Sequence, residues 1–342
     1  MTTWIQEVAY QRASALVDGD LFLETAGQHE SSFTGFLTAA RPAAVCLAAL
    51  ADVAAADFRR DQIGVRGLRD PVVTCGGDRM RFESLSACCG VYARLDVLPA
   101  ALDGALLTHG TTNVDINPPL YTALTRIGSG DPLRLTVGPD ELAVTTLDGR
   151  VVEKRVPLPQ RWLRGFAEAG FLAAGFDLRA EIPGGQASAL LHRLPAYRGD
   201  VQWLVPAGRS VRATTAAAPG AVCLAGAQRL TPFRSLLPHT RTLRLYGPSV
   251  TAAGGAVASG WEFDLGALRF AVLLSPGVQR GLSGEGGLLP YLDSARLARR
   301  GPGPHRRPAA VRGFGGGARQ RGGRPGRACP AAGRPAPSHV RR

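Results

Sequence analysis

Hydrophobic residues recur at two different spacings along this chain, and each change of spacing predicts a change of element. Apolar positions three and four residues apart predict an amphipathic helix over residues 42–59, with Pro42 in its first turn. Short apolar runs separated by glycine and serine then predict a β meander over residues 72–95. A strand over residues 112–116 is expected to lead into a helix capped by Asn117.

The same order of strands and helices is predicted for the rest of the chain. Helices are predicted at residues 162–173, 186–193, 227–237 and 285–293, and strands at 133–137, 142–144, 152–156, 201–205, 210–214, 221–224, 242–246, 261–265 and 268–274. Because runs of strands alternate with single helices, we expect an α+β fold of antiparallel β meanders alternating with single helices. The recurrence of this order suggests two similar halves near residues 33–175 and 176–295, without a repeated residue motif.

Composition divides the chain into an N-terminal arm over residues 1–32, a globular body over 33–295 and a tail over 296–342. The net charge of +13 resides in the tail, which holds 13 arginines and no acid, whereas the residues before it carry 27 basic and 27 acidic side chains. The body therefore gives no overall electrostatic signal for a nucleic-acid partner.

The tail is rich in arginine, glycine, proline and alanine, so it cannot bury a core and is predicted to be disordered. Two interpretations of it stay open. One is an RNA-binding segment that uses Arg312, Arg319, Arg321 and Arg324. The other is a shifted reading frame, because out-of-frame translation of a GC-rich gene gives this composition and the chain has a single lysine, Lys154, beside 39 arginines.

Cys88 and Cys89 are the residues best suited to nucleophilic chemistry. A cysteine-dependent enzyme would need the fold to bring His109 close to one of these thiols. The histidines are scattered without motif context, which favours buried structural thiols and no catalytic set. The six cysteines also lack the paired spacing of a zinc site or a disulfide framework. We therefore expect reduced thiols, no metal and no cofactor in this chain.

Asn113, Asp115 and Asn117 form the second polar motif. Their spacing resembles the start of a calcium loop, but Pro118 occupies the position where such a loop requires glycine, so calcium is not expected. One interpretation is a hydrogen-bonded turn that caps the following helix. The alternative is a loop that contacts a ligand or a partner.

The sequence shows no feature of a membrane protein or a secreted one. Its most apolar stretch, residues 42–58, contains Asp52 and Asp57 and is shorter than the roughly 20 residues that a membrane-spanning helix needs. The N-terminus lacks the basic segment and apolar run of a secretory signal. We expect a cytoplasmic protein without a membrane partner.

Six segments carry a family resemblance: FTGFL (33–37), RDPVVTC (69–75), FESLSACCGVYAR (82–94), GTTNVDINPP (110–119), PLPQRWLRGF (157–166) and GLSGEG (281–286). They are similar to the N-terminal region of SWIM zinc-finger family proteins of high-GC actinobacteria. The resemblance implies a role in DNA or protein contacts. Members of that family end in a C-x-C and C-x-H zinc motif that this sequence lacks, so zinc is expected only in full-length members.

The leading hypothesis is a truncated SWIM-family scaffold that mediates protein or nucleic-acid interactions without catalysis. RNA binding through the Arg/Gly-rich tail and a cysteine-dependent enzyme are the alternatives.

Overall fold

A computed structural model gives the structure of the protein. It describes residues 15–17, 20–22, 32–60, 70–76, 78–106, 109–158, 160–194, 201–251, 254–279 and 281–282. All of these residues lie within one compact unit, Met1–Leu297. The predictions for the tail, including Arg312, Arg319, Arg321 and Arg324, and for a helix at 285–293 lie outside the described residues.

The described residues form four α-helices and two 3₁₀ helices. The α-helices are α1 (Ala40–Ala55), α2 (Pro118–Arg126), α3 (Gln160–Ala174) and α4 (Gly184–Arg193), and the 3₁₀ helices are Pro99–Ala101 and Ala227–His239. Within the described ranges, no helix has the length and apolar character required to span a membrane.

Eighteen strands accompany these helices in the described part of the chain. They are β1 (Ala15–Val17), β2 (Asp20–Phe22), β3 (Phe33–Leu37), β4 (Val72–Gly76), β5 (Arg79–Leu85), β6 (Val91–Val97), β7 (Leu102–Leu106), β8 (Gly110–Asn113), β9 (Arg134–Val137), β10 (Glu141–Thr146), β11 (Gly149–Lys154), β12 (Asp177–Pro183), β13 (Val201–Ala207), β14 (Ser210–Thr214), β15 (Val222–Ala225), β16 (Thr242–Gly247), β17 (Ser259–Asp264) and β18 (Leu268–Leu274).

The strands form antiparallel sheets. Beside the β1-β2 hairpin there is a five-stranded sheet in the order β11-β10-β9-β3-β7, an eight-stranded sheet in the order β12-β16-β17-β18-β6-β5-β4-β8 and a three-stranded sheet in the order β14-β13-β15. Consecutive strands mostly pair with each other, as expected for meanders, and single helices separate the runs. The predicted α+β class with antiparallel meanders and single helices is confirmed.

The eight-stranded sheet combines strands from both ends of the globular region. Strands β12 and β16 to β18 supply one side of it, and β4 to β6 with β8 supply the other. The two sides meet where β18 pairs with β6, in a register that runs from Leu268 opposite Val97 to Leu274 opposite Val91. This pairing makes one continuous sheet, so the hydrophobic core extends across it without interruption.

Helix α1 lies against one face of this sheet and is buried along most of its length. It is rich in alanine, which has the highest helix propensity and lets neighbouring elements approach closely. Leu47, Leu50 and Val53 pack in the core with Phe82 and Phe270 of the sheet. The helix ends at Ala55, earlier than the predicted end near residue 59, because Ala56 adopts an extended conformation with φ −86° and ψ 131°.

The other face of the sheet carries alternating charges across neighbouring strands. Arg81 Nε donates to Asp96 Oδ1 at 2.7 Å, and Arg94 contacts the second oxygen of Asp96 at 2.9 Å. Farther along the sheet, Arg244 Nη1 of β16 donates to Glu262 Oε1 of β17 at 2.8 Å. These charges are neutralised within the sheet, so we interpret this face as structural.

Helix α3 covers the apolar part of the same face. Its Trp162 is buried, and Phe166 makes edge-to-face ring contacts with Trp162 at 5.9 Å and with Tyr92 of β6 at 6.0 Å. The apolar side of this helix is therefore the side that packs on the sheet.

Two further predictions needed correction. The segment predicted as an α-helix at 227–237 is the 3₁₀ helix Ala227–His239, which contains Pro232 and Pro238. Proline has no backbone N–H, so it removes bonds that a regular α-helix requires. The strand predicted at 112–116 ends earlier, at Asn113.

Candidate functional site

A groove of about 680 Å³ lies between helix α4 and the hairpin of β13 and β14. Among the residues that the structure describes, the apolar part of the lining includes Ile182, Leu190, Leu194 and Val211. The polar part consists of Gln186, Arg193, Gln202, Arg209 and Ser210. A concave site of this size, with an apolar lining and a few polar groups, is the usual form of a ligand-binding site in proteins.

Helix α4 forms one wall because its two faces differ. Ala187 and Leu191 are buried against the core, whereas Gln186, Leu190 and Arg193 lie on the groove side at helical spacing. Arg193 lies in the last turn of the helix, and its Nε donates to the carbonyl oxygen of Ala189 at 3.2 Å. This bond holds the guanidinium stem along the helix at the groove.

The β13-β14 hairpin forms the opposite wall. Ala207 pairs with Ser210, so Gly208 and Arg209 make a two-residue turn. Gly208 has φ +62°, a conformation that glycine adopts without steric cost and that type II′ turns require at this position. The turn places Arg209 at the rim, while Val211 and Ala213 line the groove.

The electrostatic character of the groove is cationic. Arg193 and Arg209 are both exposed, and the described lining contains no carboxylate. Gln202 of β13 contributes a side-chain oxygen that is buried and has no hydrogen-bond donor in the described part of the chain. The groove therefore offers two exposed guanidinium groups to an incoming ligand.

The predicted motif of Asn113, Asp115 and Asn117 is held against β11. Asn117 donates from Nδ2 to Glu153 Oε2 at 2.6 Å and from its backbone nitrogen to Glu153 Oε1 at 3.3 Å. Asn113 Nδ2 donates to the carbonyl oxygen of Val156 at 3.1 Å. Helix α2 begins after Asn117 as predicted, but the expected side-chain cap is wrong, because the Asn117 amide binds Glu153.

Glu153 is the residue that organises this cluster, and no local sequence signal pointed to it. Its side chain is buried on β11, and burial raises the pKa of Glu153 above its ordinary value of 4.5. The two bonds from Asn117 oppose that rise in the pKa, and the nearby charge of Asp115 adds to it. A role of this loop in contacting a ligand stays a prediction.

The structure does not bring His109 to Cys88 or Cys89. Cys88 follows the end of β5, whereas Gly110, next to His109, pairs with Cys75, which in turn pairs with Met80 at the start of β5. Leu85 lies five positions beyond Met80 along the strand, which is about 17 Å at about 3.4 Å per residue. His109 and the two thiols thus lie at opposite ends of these strands, so His109 pairs with neither Cys88 nor Cys89.

The local contacts of the two thiols are those of a tight turn. Cys88 is buried, and its sulfur lies 3.3 Å from Ser86 Oγ, which accepts bonds from the backbone nitrogens of Gly90 and Val91. Cys89 is half-buried and has a positive φ of 55°. The cysteines that the structure describes are all thiols, and burial raises the pKa of Cys75 to about 12.

Arg229 is the charged group buried most deeply near these thiols. Its guanidinium donates to the carbonyl oxygens of Gly90, Ala225 and Ser275 and to Ser275 Oγ. Burial lowers the pKa of Arg229 to about 10. Because four of its bonds join three separate chain segments, we interpret Arg229 as a structural link between the two sides of the eight-stranded sheet.

No group of three or more histidine, cysteine, aspartate or glutamate side chains that could hold a metal ion occurs within the described ranges. The groove itself escaped sequence reasoning, because its walls lie far apart along the chain. The only local signal was the Gly208-Arg209 turn between two predicted strands, which marks a hairpin tip but not what faces it.

Comparisons with known proteins give little beyond this geometry. No protein-family model matches the chain, and no curated protein matches it. Among solved structures, the chain is similar to the crystal structure of proliferating cellular nuclear antigen from Entamoeba histolytica, with 12% sequence identity and a TM-score of 0.46. That match covers 72% of this chain and 98% of the other. A likeness at this level does not assign a function to the chain.

Proposed function

We propose that this protein is an interaction module that binds a protein partner in the groove between α4 and β14. The observation that supports the proposal is the chemistry of the groove, which combines an apolar lining with two exposed arginines. Apolar surface supplies the drive for association, and the few polar groups supply orientation.

The walls of the groove are suited to recognition of a partner. Strand β14 is the outer strand of its sheet in the described part of the chain, and α4 is anchored to the core through Ala187 and Leu191. Elements held by their buried faces present their other side in a defined geometry, which lowers the entropic cost of binding.

A substitution that fills the groove tests the proposal. Random peptides displayed on phage are selected on the full chain, and the enriched peptides are then measured against Ala213→Trp and Ala216→Trp. Ala213 lines the groove, whereas Ala216 is also exposed but lies outside the described lining. We expect A213W to abolish binding and A216W to retain it. Absence of enriched peptides, or equal binding to A213W and A216W, contradicts the proposal.

We also propose that the chain belongs with the N-terminal regions of SWIM zinc-finger family proteins. The six similar segments support this relationship, and five of them include residues of β3, β4 to β6, β8 and α3. Zinc binding would then be a property of family members with the C-x-C and C-x-H motif. Translation of the gene in its other two frames beyond codon 296 tests the relationship, and frames without that motif count against it.

A further inference from the structure

We infer that the ligand of the groove is an acidic, extended peptide segment whose carboxylates bind Arg193 and Arg209. This inference rests on the proposed function and adds the chemical class of the partner. It depends on three features of the groove, namely its charge, the arrangement of its walls and the composition of its lining.

Charge is the first feature. Arg193 and Arg209 stand on opposite walls, one at the end of α4 and one at the tip of the β13-β14 hairpin. The described lining holds no carboxylate to neutralise them. A guanidinium presents donors in a planar fork that matches a carboxylate, so two arginines on facing walls select a ligand with more than one acid.

The arrangement of the walls favours an extended chain. Val211 and Ala213 alternate along β14 on the groove side, and Leu190 and Leu194 face them from α4. An extended peptide lying along β14 would direct alternate side chains to the apolar lining and to the arginine rim.

The composition of the lining separates a peptide from a nucleic acid. Single-stranded nucleic acids are usually bound by aromatic side chains that stack on the bases, in addition to cationic groups. The described lining of this groove contains no aromatic residue, and its apolar members are aliphatic. Aliphatic side chains next to arginines favour a peptide with alternating aliphatic and acidic residues.

Two peptides that differ only in charge test the inference. The acidic probe is Gly-Ser-Glu-Leu-Glu-Leu-Ser-Gly with blocked ends, and its counterpart has glutamine in place of both glutamates. Binding is measured by fluorescence anisotropy with the full chain, with the R193Q/R209Q double variant and with R212Q. Arg212 is an exposed arginine of β14 outside the lining, so it is the matched control. The arginines of residues 296–342 contribute equally to all three proteins.

We expect the acidic probe to bind the full chain at least tenfold more tightly than its glutamine counterpart. R193Q/R209Q should lose that preference and R212Q should keep it. Equal binding of both probes, with loss of both in A213W, overturns the acidic class but leaves the proposed function standing. If neither probe shows binding that A213W weakens, both the acidic class of the ligand and the proposed function are overturned. Binding of a single-stranded oligonucleotide is measured in parallel. The peptide assignment is overturned if R193Q/R209Q weakens the binding of the oligonucleotide more than the binding of the acidic probe.

Discussion

Glu153 shows how one side chain can tie a loop to a sheet. Its two carboxylate oxygens receive bonds from the side chain and the backbone of Asn117, at the point where helix α2 begins. The carboxylate is nevertheless buried beside Asp115, and the net effect is a raised pKa for Glu153. The residue thus holds the loop in place while its ionised form is disfavoured by burial.

The substitution Glu153→Gln should change how stability depends on pH. Because the pKa of Glu153 is higher in the folded protein than its ordinary value of 4.5, the folded state binds more protons between those two values. The free energy of unfolding therefore falls as pH rises through that window, and glutamine removes this fall. Urea unfolding at a series of pH values from below 4.5 to neutral measures it.

Glu141→Gln is the matched control on the neighbouring strand β10. Lys154 bonds to Glu141 and lowers its pKa, so this group contributes stability that is lost as pH falls. E141Q and E153Q should therefore alter the pH slope in opposite directions. If the free energy of unfolding depends on pH equally in E153Q and in the unsubstituted protein, the pKa of Glu153 does not change on folding.

At the scale of elements, the start of α4 determines where the groove wall stands. Gly184, the first residue of the helix, donates its backbone N–H to the carbonyl oxygen of Arg241 at 2.8 Å. A Cβ at this position would collide with the backbone carbonyl of Thr240, whereas a Cβ at Gly185 would meet nothing within 4 Å. The helix therefore approaches the Thr240 backbone more closely than any residue with a side chain permits.

These two neighbouring glycines give a paired prediction. Gly184→Ala should lower the free energy of unfolding by about 1–3 kcal/mol, because the backbone must move to admit the methyl group. Gly185→Ala should instead raise it by up to about 1 kcal/mol, because alanine loses less conformational entropy in a helix. Chemical denaturation of both variants provides the measurement, and an equal effect of the two would contradict the close approach at Gly184.

At the scale of the whole molecule, the pairing of β18 with β6 makes the two sides of the large sheet one folding unit. Phe270 of β18 stands opposite Leu95 of β6 and packs on Phe233 with ring centroids 5.5 Å apart. All three residues belong to one continuous core. A substitution that destabilises this junction should therefore destabilise both sides of the sheet.

Phe270→Ala should lower the free energy of unfolding by about 3–5 kcal/mol, through lost burial and the cavity that remains. Unfolding of this variant, followed by tryptophan fluorescence and by far-UV circular dichroism, should still give one coincident transition for the two sides of the sheet. Phe171→Ala, at a side chain that is 52% exposed on α3, is the control and should change stability by no more than about 0.5 kcal/mol. Two separate unfolding transitions in F270A would show that the two sides of the sheet unfold independently.

Several features of this protein followed from short stretches of sequence alone. The strands Ser210–Thr214 and Leu268–Leu274 were predicted with their observed bounds, and the α+β class followed from the alternation of strand runs with single helices. Local spacing of apolar residues, turn residues and helix propensity carry this information, because each acts over a few neighbours in the chain. The equal numbers of basic and acidic residues before residue 296 were also evident from the sequence alone.

The tertiary structure alone decided which of these elements meet. It paired β18 with β6, buried Arg229 among three chain segments and placed Arg193 opposite Arg209 in one groove. It also separated His109 from Cys88, although the two lie only about twenty positions apart. Contacts of this kind depend on the packing of distant segments and on sheet register, and neither is recorded in the periodicity of any single segment.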